Sequence, residues 1–139
     1  MNVTEDNTNA AARQKLLIVD DDRNWTDALR LFFLDKYSVE VVNSAADALE
    51  KIRLNEPDAI IVDLVMPMMD GFGLMRRLSD GNAHIPIILL TGWKTAEVEQ
   101  CATSFGCAAV LAKPVEPQVL EEVVSTVVGS NRVRPAIVT

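Results

Sequence analysis

Three consecutive carboxylates, Asp20, Asp21 and Asp22, follow the apolar run LLIV, and Asp63 follows AIIV. Thr91 stands directly after IILL, and Lys113 directly after AVLA. Two carboxylates about 4 Å apart repel by roughly 4 kcal/mol at a near-surface effective dielectric, and one lysine cannot neutralise three or four of them. A hard divalent cation can, and an all-oxygen ligand set favours Mg2+ over zinc. Mg2+ commonly shares its coordination sphere with a phosphoryl oxygen. The hydroxyl and the ammonium supply the other partners that a phosphoryl group needs. Singly, each residue has an ordinary structural use. An acid after a strand caps the next helix, and Asp22 suits that role as well as it suits ligation. Only convergence on one edge would make these residues a site.

Other chemistries lack their residues. His84 is the single histidine, in the turn-like NAHIP segment, and reads as a solvated surface group. No Ser–His or Cys–His pair is available for acyl transfer. GFG at Gly71–Gly73 lacks the spacing of a phosphate-binding loop. Cys101 and Cys107, without a neighbouring histidine, cannot build a four-ligand zinc site and read as small buried side chains. The chain carries 20 acids against 13 bases, a formal net charge of −7, which argues against binding a nucleic acid backbone. No apolar run approaches the roughly 18 residues of a membrane span. The opening MNVTEDNTNAAARQ lacks the layout of a signal peptide. A soluble, cytoplasmic protein is expected.

The residues at issue need elements to hold them. Leu16–Val19, Val39–Val42, Ala59–Val62, Ile85–Leu90 and Ala108–Ala112 are short, apolar and mostly β-branched, as suits strands buried on both faces of a parallel sheet. Helical spacing fills the gaps: Leu29, Phe32 and Phe33 share a face, as do Ala45, Ala48, Leu49 and Ile52. Ser44 with Asp47 resembles a capping box, Thr95 can cap the next helix, and Gly106 sits at a helix end. Pro117 fits a first turn and Gly129 a stop. LEEVVSTVV is β-branched enough for a strand, but its place after a fifth strand and the Val119, Val123, Val127 spacing favour a helix. The result is a (βα)5 chain, an α/β doubly wound three-layer sandwich with its chemistry at the carboxyl ends of the strands. Those ends carry Asp20 to Asp22, Asp63, Thr91 and Lys113, while Asn43 and Ser44 after the second strand read as capping residues. One domain is expected at 14–129, between an N-terminal tail at 1–13 and a C-terminal tail or start of a linker at 130–139.

In order and spacing, LLIVDDD, IIVDLVMPMMDG, IPIILLTG and LAKP resemble the receiver domain of bacterial two-component response regulators, over about Lys15 to Gly129. The resemblance implies a flavodoxin-like sheet of order 2-1-3-4-5. It implies Asp63 as phosphoacceptor, taking its phosphoryl group from a sensor histidine kinase or a histidine phosphotransfer protein. Asp20 and Asp21 resemble the acidic pair that holds Mg2+ together with Asp63 and the backbone carbonyl of Val65. Thr91 resembles the switch hydroxyl, and Lys113 the lysine that pairs with phosphoryl oxygens, before a cis bond to Pro114. Pro67 and Gly71 fit the loop and turn after the acceptor strand. The surface of the fourth helix, fifth strand and fifth helix is implied to mediate dimerisation or docking of a downstream protein. Such a domain catalyses only its own phosphorylation and dephosphorylation.

Three positions depart from the pattern. Val110 stands where the family often has an aromatic ring that swings inward. Val65 and Trp93, two residues beyond Asp63 and Thr91, put apolar groups beside the path of hydrolytic water, which implies slow self-dephosphorylation. Two rival readings compete. Asp20 with Asp22 also fits the Asp-x-Asp motif of haloacid-dehalogenase-like phosphatases, with Asp20 as nucleophile, but that reading leaves DLVMPMMDG unexplained. A pseudo-receiver that keeps the fold without phosphorylation is the other.

Overall fold

The computed structural model describes residues 13–64, 71–80 and 84–133. Strands β1 (Gln14–Val19), β3 (Ala59–Asp63) and β4 (Ile87–Thr91) form the middle of a five-stranded parallel sheet. The edges are β2 (Tyr37–Val42) and β5 (Ala109–Ala112), and the order is 2-1-3-4-5 as expected. Every residue of β3 and β4 is buried, as continuous apolar runs in the centre of a parallel sheet require. The edge strands depart from that expectation. β2 is buried only at its ends, Tyr37 and Val42, and no residue of β5 is fully buried.

Alternate residues of the central strands feed two apolar layers. Leu17, Val19, Ile60, Val62 and Leu89 meet helices α2 (Ala45–Leu54), α3 (Gly71–Asp80) and α4 (Ala96–Ser104). Leu16, Ile18, Ile61, Ile88 and Leu90 meet α1 (Arg23–Phe33) and α5 (Pro117–Val133) on the other face. Right-handed crossovers distribute the helices to the two sides in this way. Register carries each strand end to the same edge: Val19 lies beside both Val42 and Val62, Asp63 beside Leu90, and Thr91 beside Ala112.

Helix punctuation follows the side chains named for it. Asp22 caps α1, accepting from the Trp25 N–H at 3.2 Å. Ser44 caps α2 and Thr95 caps α4 through their hydroxyl oxygens. Gly106 takes φ 83° just after α4, the left-handed turn that glycine allows without a Cβ penalty. Four expectations shift. β4 starts at Ile87 rather than Ile85, after Pro86, which has no N–H to give a ladder. Gly129 does not stop α5, which runs on to Val133. The buried line of α5 is Leu120, Val124 and Val128, one residue round from the expected face, and Val119 is 44 % exposed. Phe32 is also partly exposed, while Leu29 and Phe33 are buried. A helix with apolar residues on two neighbouring lines buries whichever line its first turn aims at the sheet, and spacing alone cannot choose between them.

Candidate functional site

Asp20 is the first residue beyond β1 and is 2 % exposed, and each polar group except one is tied down. Its N–H donates to the Val42 carbonyl at 3.2 Å, and its carbonyl accepts from Asn43 Nδ2 at 2.8 Å. Its Oδ1 accepts from the Asp22 N–H at 3.1 Å. Oδ2 is buried with no hydrogen-bond partner among the described residues. Asp63 closes β3 and is buried, and Asp21 is exposed. One carboxylate oxygen from each of Asp20, Asp21 and Asp63 lies within 4.8 Å of the other two. Lys113 reaches in from the end of β5, with Nζ 3.4 Å from Asp63 Oδ2 and 3.7 Å from Asp20 Oδ2.

Burial pushes the Asp20 carboxyl up to about 6, and the negative charge of Asp63 adds to the rise. The Asp22 N–H and the Lys113 ammonium oppose it without cancelling it. A buried oxygen without a donor, beside two further carboxylates, is a donor set that suits a hard divalent cation. It offers none of the nitrogen or sulfur ligands that dominate zinc sites.

Thr91 ends β4 at 1 % exposure, and its Oγ1 accepts from the Trp93 N–H at 2.9 Å. Its carbonyl accepts from the Lys113 N–H at 2.8 Å, which ties the hydroxyl-bearing strand end to the lysine-bearing one. The Lys113–Pro114 bond is cis. Gly71 opens α3 against the end of β3, with its N–H bonded to the Leu64 carbonyl. A Cβ there would lie 2.8 Å from the Asp63 carbonyl oxygen and 2.9 Å from Leu64 Cα.

Asp20, Asp21, Asp63 and Lys113 therefore come together, with Thr91 on the adjoining strand end. Asp22 turns away to cap α1. Val65 and Pro67 lie outside the described residues. His84 is exposed, and both cysteines are free and half-buried rather than buried. Two contributors were not legible in the sequence. Asn43 reads as a capping residue but grips the Asp20 carbonyl, and only the pairing of β1 with β2 reveals that. By the family resemblance Gly71 fits the turn after β3; the structure makes it the first residue of α3, and its closeness to Asp63 exists only in the folded chain.

The sequence model of the response regulator receiver domain matches residues 16–125. Response regulator MprA of Mycobacterium leprae (strain TN) is 34 % identical over 101 residues, covering 72 % of this chain and 44 % of that protein. The chain thus spans under half the length of the curated relatives it matches. A CheY-like response regulator receiver domain protein from Methanospirillum hungatei JF-1 superposes with a TM-score of 0.82 at 25 % identity, covering 87 % of this chain and 98 % of that one. The signal receiver domain of a signal transduction histidine kinase from Syntrophus aciditrophicus gives 0.77 at 28 % identity, over 91 % and 98 %. A match running from β1 into α5, over a sheet of this strand order, leaves one family: the chain belongs to the response regulator receiver domains of two-component signal transduction.

Proposed function

We propose that Asp63 is a phosphoacceptor, taking a phosphoryl group from the phosphohistidine of a sensor histidine kinase or a histidine phosphotransfer protein. The observation that carries this reading is the Lys113 ammonium, 3.4 Å from Asp63 Oδ2 on the same acidic edge. An Asp63 oxygen attacks phosphorus opposite the imidazole nitrogen. The P–O bond forms as the P–N bond breaks, and the leaving imidazole takes up a proton from solvent. Lys113 balances charge on the phosphoryl oxygens, and the Thr91 hydroxyl donates to one of them. Asp20, Asp21 and Asp63, with the Val65 carbonyl, are the groups that would hold Mg2+. When bound, Mg2+ neutralises the acids and draws the incoming phosphoryl oxygens toward them.

Phosphorylation turns a carboxylate of −1 into an acyl phosphate of about −2 with three acceptor oxygens. A hydroxyl has one proton and two acceptor sites, so Thr91 can donate to that group while still accepting from the Trp93 N–H. The Trp93 backbone then follows Thr91, and the shift reaches α4 through only Lys94 and the cap Thr95. The face of α4, β5 and α5 is the surface offered to a second copy or a downstream protein, by population shift between two states. The domain, 14–129 with α5 extended to Val133, acts only on itself and works in the cytoplasm, where it meets its kinase. No nucleic acid binds to it directly.

A small phosphodonor with Mg2+ tests the assignment. Wild type should label, Asp63→Asn should lose the label, and Asp20→Asn should keep some, weakened through the metal. Label retained in Asp63→Asn would transfer the nucleophile elsewhere, with Asp20 the phosphatase-like choice. Because Val65 and Trp93 offer no side-chain acceptor to orient an attacking water, the acyl phosphate should persist. Val65→Asn combined with Trp93→Glu should shorten its lifetime severalfold, and an unchanged decay rate would refute the shielding.

A further inference from the structure

We propose that Asn43 is a positioning residue for the acidic pair Asp20–Asp21, setting their grip on a divalent cation; this rests on the metal reading above. The β1–β2 ladder ends at Val19 beside Val42, so the carbonyl of Asp20 lies past the last backbone pair. Asn43 lies just past the end of β2 and donates to that carbonyl from its side-chain amide, 23 residues along the chain and on the neighbouring strand. With the Asp20 N–H already given to Val42 O, the β2 end holds both backbone polar groups of Asp20. The Asp22 N–H holds Oδ1 as well. Four polar atoms thus reduce to one, Oδ2, that is free to bind anything, and it faces Asp63 and Lys113.

The Asn43 bond also fixes the peptide joining Asp20 to Asp21, because that carbonyl belongs to it. Asp21 is exposed, and no hydrogen bond to its side chain is found among the described residues. Its direction therefore depends on the peptide that Asn43 clamps. A ligand pair held through its backbone pays less ordering on binding a cation than a pair free to rotate. Outer contacts of this kind are typically worth about 10-fold to 100-fold in metal affinity. Serving as a helix cap would explain none of this, since the cap of α2 is Ser44.

Charge and position make opposite forecasts for one isosteric change. Asn43→Asp adds a negative charge close to the acids, which by electrostatics alone should tighten Mg2+ binding. It also removes the amide donor, which should weaken binding if Asn43 positions the pair. Mg2+ alone is titrated into the full chain, followed by the amide resonances of Asp20–Asp22, with melting in chelator to verify folding. Asn43→Ala should raise the dissociation constant about tenfold, and Asn43→Asp should raise it as well. Affinity within twofold of wild type in a folded Asn43→Ala, or tighter binding in Asn43→Asp, overturns the proposal. If Asn43→Ala does not fold, Asn43→Asp alone decides. Wild type that binds no Mg2+ at millimolar concentration would overturn the metal reading and this inference together. Wild type that binds, with variants that bind equally, would overturn only the role of Asn43.

Discussion

The α1–α5 side of the sheet and its α4–β5 edge are built unequally. α1 puts Leu29 and Phe33 into its layer, and α5 puts in Leu120, Val124 and Val128, all under 5 % exposed. Tyr37 stacks edge-on against Phe33, with ring centroids 5.7 Å apart. Lys36 joins the start of β2 to Glu121 of α5 at 2.6 Å. In the opposite layer α4 contributes a single buried residue, Ala102, and the neighbouring edge strand β5 contributes none. Stability is not uniform in such a structure: elements with little buried apolar area open and shift at low cost. The α1–α5 side is an anchor. If Thr91 moves as proposed, α4 and β5 are the parts of the proposed output face that can change place, and α5 is its fixed border.

The largest effect that sharpens this contrast is Phe33→Ala, which should cost about 3–5 kcal/mol as a filled aromatic site becomes a cavity. Val98→Ala on α4, half-buried, should cost about 1 kcal/mol or less. Urea unfolding measures both, and equal losses would break the comparison.

Next comes the price of seating Asp20 on the rigid β1 end. Its folded value of about 6 lies above the ordinary 3.8, so the folded state favours the protonated acid. This contribution is fully present below about pH 4 and is lost as pH rises through 6. At about 1.4 kcal/mol per pKa unit, up to roughly 3 kcal/mol is at stake. In chelator, wild type should therefore lose stability relative to Asp20→Asn between pH 4 and 7, and Mg2+ should restore part of it. Parallel pH profiles for the two proteins would remove the claim.

The smallest effect is a pair of glycine substitutions. Gly71→Ala forces a Cβ against the buried end of β3 and should cost about 1–3 kcal/mol. Gly92→Ala, between Thr91 and Trp93, meets nothing within 4 Å and should be close to neutral. Thermal melts that rank the two the other way would contradict the assignment of tight and loose regions.

Much of this was legible in the residues themselves. Short β-branched runs marked the strands, and capping side chains at Asp22, Ser44 and Thr95 marked three helix starts. Asp20, Asp63, Thr91 and Lys113 stood out because each directly follows an apolar run, and Asp21 because it stands next to Asp20. α5 was recognisable despite its β-branched content, but its buried line was not: Leu120 is fully buried where Val119 is exposed over nearly half its surface. Choosing between adjacent lines depends on the angle at which the helix meets the sheet, and that angle is a property of the packed chain.

Local chemistry thus determined which groups this protein has and which element carries each, because strand period, cap geometry and charge repulsion act over a few residues. Tertiary structure alone decided who touches whom. The 2-1-3-4-5 order sets β1 between β2 and β3, so Asn43 reaches the Asp20 carbonyl and three acids converge within 4.8 Å. It also buries one oxygen of Asp20 without a partner and brings Gly71 against Asp63. These contacts join residues eight to forty-odd positions apart. Only the closing of the sheet, with water driven from both faces, forces such distant groups to share an edge.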